Sequence, residues 1–204
     1  MGTTQDEARL AVSRYAARLF IEHGVAGVSG DDIAAAAGLS TRTVWRYFRT
    51  KESCVEPLFV ATSLKFIALL RDWPHRQSIE AWLQACLGGA ERPAQDIADE
   101  VLAVRLIAML PDEPALRSAW LMAAQRGEEA LADVIADRLE RSPREHEVRL
   151  CAATVMAAIR VVDETISTAA VRHAQAFTMQ DVIDRMARAI RAGSTLPICD
   201  PVLV

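Results

Sequence analysis

The sequence lacks the marks of the common enzyme classes. It has no glycine-rich phosphate loop, no G-x-S-x-G and no H-E-x-x-H. His23, His75, His146 and His173 are scattered, and none stands beside a recognisable nucleophile. We therefore expect no catalytic residue and no cofactor. The four cysteines, Cys54, Cys86, Cys151 and Cys199, form no C-x-x-C pair, which argues against a disulfide scaffold or structural zinc. His146 between Glu145 and Glu147 reads as a charged helix face, so no metal site is expected. Separated thiols suit a reducing cytoplasm. No charged-then-apolar signal segment opens the chain, and no run of about 18 apolar residues suggests a membrane span. A soluble, cytoplasmic protein is the expectation. Aromatics make up 5% of the residues, strand signals and repeats are missing, and only two of 23 cationic residues are lysine, Lys51 and Lys65. The arginine excess reads as a compositional bias with little bearing on function.

Half of the 204 residues are apolar, mostly Ala and Leu, which favours helices. The net charge of −4 is unevenly spread. Residues 1–51 carry seven Arg/Lys against five Asp/Glu; residues 52–204 carry sixteen against twenty-two. From Leu39 to Lys51 there are four cations and no acid. A basic patch at one end of an acidic chain concentrates attraction for phosphate there.

The stretch VSGDDIAAAAGLSTRTVWRYFRTKE, residues 28–52, explains that patch. Ile33, Ala34 and Ala37-Gly38-Leu39 fit a short helix and a sharp turn. Ser40 and Thr41 offer a cap for a second short helix, Thr41 to about Phe48. Ala34 lies four positions before Gly38, as a helix-turn-helix requires: its helices cross closely, and its turn favours positive φ. Val44 and Tyr47 would face the first helix of the pair. Arg42, Thr43, Arg46 and Arg49 would face outward. A short helix with this polarity fits the DNA major groove. On charge alone a solvated helical hairpin is the favoured reading; the Ala-x3-Gly-Leu-Ser spacing reverses that.

The ordered set Ala17-Arg-Leu-Phe20, Gly24-Val25, Val28-Ser29, Asp32-Ile33-Ala34, Ala37-Gly38-Leu39-Ser40, Thr43-Val44-Trp45, Tyr47-Phe48 and Lys51-Glu52 resembles the DNA-binding domain of the TetR (tetracycline-repressor-type) family. One departure is Gly30, where that family usually has a β-branched or apolar residue; glycine is expected to loosen the junction. The resemblance implies an all-α fold of about nine helices. A three-helix DNA-binding domain would occupy residues 1–51, and a helical regulatory and dimerisation domain residues 52–204. It also implies a ligand-responsive repressor that binds an inverted repeat of double-stranded DNA as a homodimer.

Site residues follow by position. Arg42, Thr43 and Arg46 are candidates for base-edge contact. Trp45, Tyr47 and Lys51 resemble the family's phosphate-contacting residues, and the Ser29 and Thr41 hydroxyls are candidates for the DNA backbone. Arg14 and Arg18, one turn apart on the first helix, could also approach the backbone. The resemblance places an effector pocket in the body, with Phe66, Trp82, Met109, Trp120, Met122 and Met156 as apolar candidates and Arg105, Arg160 and Asp163 as polar ones. Each could equally serve an ordinary core or charge pair.

Helix signals continue downstream. Thr50 caps a helix to about Asp72, broken by Trp73-Pro74. Others are expected from Ser78 to Gly88, about Pro93 to Met109, Pro114 to about Arg141, Pro143 to about Ala174, and Met179 to about Ala192 with Thr178 as cap. The tail LPICDPVLV reads as irregular. The stretch 148–171 is apolar around most of its circumference, the mark of a helix buried on more than one side. By the resemblance, helices about 143–174 and 178–192 form the dimer interface. A ligand-independent regulator and a protein-interaction module remain the alternatives.

Overall fold

The computed structural model describes residues 4–89 and 92–202. The described residues form nine α-helices and one 3-10 turn, with no strand. The helices are α1 (Thr4–His23), α2 (Gly30–Ala36), α3 (Thr41–Tyr47), α4 (Glu56–Arg71), α5 (Ile79–Leu87), α6 (Ala94–Ile107), α7 (Pro114–Leu139), α8 (His146–Arg172) and α9 (Met179–Gly193). The 3-10 turn, Glu52–Val55, precedes α4. All-α architecture and helix number match the expectation.

Local chemistry sets most helix ends. Ser29, Ser40, Ser78 and Thr178 each accept a bond from a backbone N–H three residues on, meeting one of the orphan donors of a helix start. Ser29 with Asp32 and Thr178 with Asp181 complete reciprocal capping boxes. Thr50 and Ser53 exchange the same pair of bonds ahead of the 3-10 turn. Helix α8 starts three residues later than Pro143 suggests. Glu145 accepts from the Ser142 N–H at 2.8 Å and pairs with Arg141, and this holds the connection outside the helix.

The chain packs as two compact units. The first comprises the described residues of Met1–Thr62 and Pro93–Ala123. Its core is built from Val12, Ala16 and Phe20 of α1, Ile33 and Ala34 of α2, Val44 of α3, Val55 and Leu58 further on, and Leu106, Leu116 and Trp120. The unit is thus larger than the 1–51 segment. A side-chain pair 85 positions apart accounts for the addition of α6: Arg14 donates from Nε and Nη2 to the two carboxylate oxygens of Asp99, each at 2.8 Å. Asp99 is fully buried, and a buried carboxylate needs such a partner. Arg14 is thereby committed inside the protein instead of facing a nucleic acid. Arg18 lies over the Tyr15 ring at 5.6 Å.

The second unit comprises the described residues of Ser63–Arg92 and Ala124–Val204. Its core joins Ile67, Leu70, Leu83, Leu131, Ile135, Val155, Met156, Ile159, Ile183 and Ile190. Arg138 is buried within it without a carboxylate. Its Nε donates to Ile198 O at 2.7 Å, Nη1 to Trp73 O and Pro74 O, and Nη2 to Gln77 O and Asp200 O. Its guanidinium also stacks 3.6 Å from the Trp73 ring centroid. Desolvation lowers its pKa from the ordinary arginine value, and the carbonyl dipoles supply the compensation. The tail is therefore fixed as far as Val202, with Ile198 and Cys199 buried and Val202 N–H bonded to His75 O; its last two positions, 203 and 204, lie outside the described residues.

Contrary to the sequence reading, one segment, Glu52–Arg71, is long and apolar enough to cross a membrane by length and composition. Its apolar side chains are used inside the protein: Val55, Leu58 and Phe59 in the first core, Ile67 and Leu70 in the second.

Candidate nucleic-acid interface

The reading helix α3 is held by contacts that its own sequence supplies. Gly38 adopts φ +66°, and the Leu39 N–H returns to Ala34 O at 2.9 Å, closing the turn. Ala34 is buried beneath it, and Val44 points inward with no exposure. Thr41 Oγ1 donates to Asp31 Oδ1 at 2.6 Å, tying α3 to the start of α2. Lys51 Nζ donates to Val25 O at 2.6 Å and Val28 O at 2.9 Å, which pins the α1–α2 connection.

Several expected DNA contacts thus have internal partners. The Ser29 hydroxyl donates to Asp32 Oδ2 and that of Thr41 to Asp31, so each must leave a carboxylate before donating to a phosphate. The Ser29 hydroxyl and backbone N–H hold the Asp32 carboxyl below the usual aspartate range. Two of the three Lys51 donors are engaged with carbonyls. Thr43 shares a hydroxyl bond with Ser40 at 2.9 Å.

The outward face is different. Arg42, Trp45 and Arg46 are exposed on one side of α3, and Arg49 is exposed just beyond its extended Phe48 C-cap. None of the three arginines has a carboxylate within ion-pair distance among the described residues. Arg46 sits 5.2 Å from the Tyr47 ring centroid, and Tyr47 meets Phe48 edge-on. Beside them lies a cavity of about 190 Å³ lined by Arg9, Tyr47, Phe48, Arg49, Ser53 and Glu56. Arg9 was not a sequence candidate. Its guanidinium lies 5.4 Å from the Phe48 ring centroid, and its buried Nε has no hydrogen-bond partner. Arg9 lies three and four positions before the buried Val12 and Ser13, on the core side of α1, which is the one signal the sequence offered.

Gly30 does not loosen its junction. It is the first residue of α2, behind the Ser29 cap, and the Trp45 ring packs directly on it.

The effector-pocket candidates divide between the two cores and the exposed surface. Met109 and Trp120 pack with the first core; Phe66, Trp82 and Met156 pack with the second. Trp82 Nε1 donates to Leu69 O at 2.8 Å. Arg105 and Met122 are exposed. Arg160 and Asp163 are half-buried on α8, and burial pushes the Asp163 carboxyl up to about 7. A second cavity, of about 230 Å³, is lined by Glu80, Asp184, Ala187 and Arg188, none of them a candidate.

A capped, cationic reading helix on a helix-turn-helix scaffold, in an all-α chain, defines the class of helix-turn-helix transcriptional regulators. Comparison with known proteins sharpens this. The model of bacterial regulatory proteins of the tetR family matches residues 14–58, and that of the MftR C-terminal domain matches residues 76–195. The chain belongs to the TetR family of transcriptional regulators. Solved structures share the fold. A TetR-family protein from Rhodococcus sp. is 19% identical, with 93% of this chain and 99% of that one covered at a TM-score of 0.57. A TetR-family regulator from Streptomyces coelicolor is 19% identical, with 95% and 83% covered at 0.53. GusR of Salmonella enterica is 15% identical, with 91% and 96% covered at 0.53. No curated protein matches the sequence.

Proposed function

We propose that the protein is a sequence-specific DNA-binding repressor that reads an inverted repeat as a homodimer and releases it on binding a small molecule. Residues 1–51 read DNA and residues 52–204 carry regulation and dimerisation, within the cytoplasm. The reading rests on binding alone and uses no catalytic step. The observation that carries it is the outward face of α3 and its C-terminal exit, where Arg42, Arg46 and, just beyond the helix, Arg49 stand exposed without carboxylate partners. Arg42 and Arg46 supply bidentate contacts to guanine edges, and Thr43 supplies a methyl or hydroxyl contact. Trp45, Tyr47 and the remaining Lys51 donor address phosphates. Ser29 and Thr41 join them by exchanging their carboxylate partners for phosphate oxygens.

Dimerisation is supported by helix α8. It buries Val148, Cys151, Val155, Met156 and Ile159 on one side. Leu150, Val161 and Val171 remain exposed, Val161 at 65%. These three are spaced by eleven and ten residues, about three turns, and so share a face. A second copy placing its own α8 and α9 there covers an apolar face that a lone chain leaves wet.

Effector response requires a ligand with different affinity for two states of the protein. Arg160 and Asp163, with Phe66, Trp82 and Met156 nearby in sequence or core, are the most suitable body residues for it. A ligand-independent regulator is the second reading. It is favoured by the dispersal of the nine pocket candidates, none of which lines either cavity.

Selection of bound sequences from a random duplex pool at fixed, near-physiological salt tests the function. An inverted repeat supports the dimeric regulator. Weak binding that is blind to sequence and lost with modest salt overturns it. The selected duplex then serves to screen ligands; release by none of them favours the ligand-independent reading.

A further inference from the structure

The space at Gly30 is the most tightly shaped feature of the reading head. A Cβ built there would lie 2.1 Å from Trp45 Cζ2, 2.8 Å from Cη2 and 2.9 Å from Cε2. Real side chains do not tolerate such distances. The backbone itself does not ask for glycine: Gly24 and Gly38 have positive φ, whereas Gly30 does not. Any L-residue fits its conformation. Glycine at a helical position also costs stability relative to alanine. The glycine is therefore explained by its neighbour. It leaves a flat seat on the first turn of α2, and the six-membered ring of the Trp45 indole occupies it.

Trp45 stands on the outward face of α3, three residues on from Arg42, and it is 43% exposed. Among the described residues its indole N–H has no hydrogen-bond partner. The ring is thus held by shape alone. A methyl group at position 30 would lift the indole off its seat on α2. We propose that Gly30 and Trp45 form one positioning unit for DNA reading, in which the missing side chain seats the indole and keeps the cationic face of α3 open. Gly30 acts through Trp45 and touches no DNA. The proposal rests on the DNA-reading function above.

The test compares the full-length protein with Gly30→Ala, Trp45→Ala and the double variant. Each is measured for thermal unfolding, tryptophan emission and affinity for the selected duplex at fixed salt. Gly30→Ala is expected to unfold at the same or a higher temperature, since alanine suits a helix better than glycine. Its Trp45 emission, isolated by subtracting the Trp45→Ala spectrum, shifts toward that of a solvated indole. Its duplex affinity falls by about ten-fold, the loss of one good contact. In the Trp45→Ala background, Gly30→Ala has no further effect on affinity, because the group it displaces is gone.

Unchanged affinity and emission in Gly30→Ala overturn the proposal. So does an equal loss of affinity with and without Trp45, which would make the glycine act by another route. A lower unfolding temperature for Gly30→Ala overturns it as well, since the glycine would then serve the fold. Failure of the wild-type protein to bind any duplex overturns the DNA reading itself, and the emission spectra still decide whether the seat exists.

Discussion

Arginine does opposite things in the two ends of this chain. On α3 and just past its C-cap, Arg42, Arg46 and Arg49 are exposed and none has a carboxylate partner among the described residues. In the second unit two guanidinium groups are consumed. Arg138 donates to five backbone carbonyls, and Arg191 bridges Glu80 and Asp200. The pairing raises the Arg191 pKa and holds the Glu80 carboxyl below its usual range. The same side chain is an instrument of recognition where partners are withheld and a fastener where they are supplied. The surroundings decide which, because a guanidinium has five donors and no acceptor and is always charged.

That contrast breaks most sharply with paired substitutions. Arg42→Ala with Arg46→Ala should weaken binding to the selected duplex by roughly 2–6 kcal/mol, the sum of two base contacts. Its unfolding free energy should change by less than about 0.5 kcal/mol, as for exposed residues in general. Duplex titration and urea unfolding of the same samples measure both.

Arg138→Met should show the reverse. It removes the partner of several buried carbonyls and should cost at least about 3 kcal/mol of stability in urea unfolding. A loss confined to DNA affinity would mean that the clasp serves recognition instead.

Asp163 sharpens the comparison from the acid side. Burial alone raises its carboxyl to about 7 from 3.8. Between these values the native state binds more protons than the unfolded one, so stability falls as pH rises. The cost is nil below about pH 4 and complete above about pH 7. Asp163→Asn should therefore leave stability unchanged at pH 4 and raise it by on the order of 2 kcal/mol at pH 8, partial solvent contact keeping the gain below the full shift. Unfolding curves across that range check the sign.

The smallest effects compare two capping boxes of the same design. Ser29→Ala at α2 and Thr178→Ala at α9 should each cost about 1 kcal/mol. The duplex affinity should fall only for Ser29→Ala, because α2 supports the reading helix.

How much of this was legible in the sequence depends on the reach of each interaction. Ser29, Ser40, Ser78 and Thr178 announce their helices because a cap bonds three residues away. Ala34 and Gly38 announce the crossing for the same reason. Where a local bond competes with a local signal, the boundary shifts slightly, as Glu145 does to the start of α8. The seat of Trp45 on Gly30, the pairing of Arg14 with Asp99 and the Arg138 clasp left no such mark. Their partners lie from fifteen to 85 positions apart. The pocket candidates meet the same difficulty in sequence: an apolar residue at helical spacing says that it is buried, not in which core.

Periodicity, caps and breakers in the sequence by themselves determined the helices and the helix-turn-helix, because each of those signals acts within about one helical turn, and the ordered motif set between Ala17 and Glu52 carried the family resemblance. Tertiary structure alone decided which arginines stay open and which are bound, where Asp99 finds its partner, and why position 30 is glycine. Those outcomes depend on which distant surfaces meet, and a buried charge or a crowded ring is satisfied only by what packing brings to it.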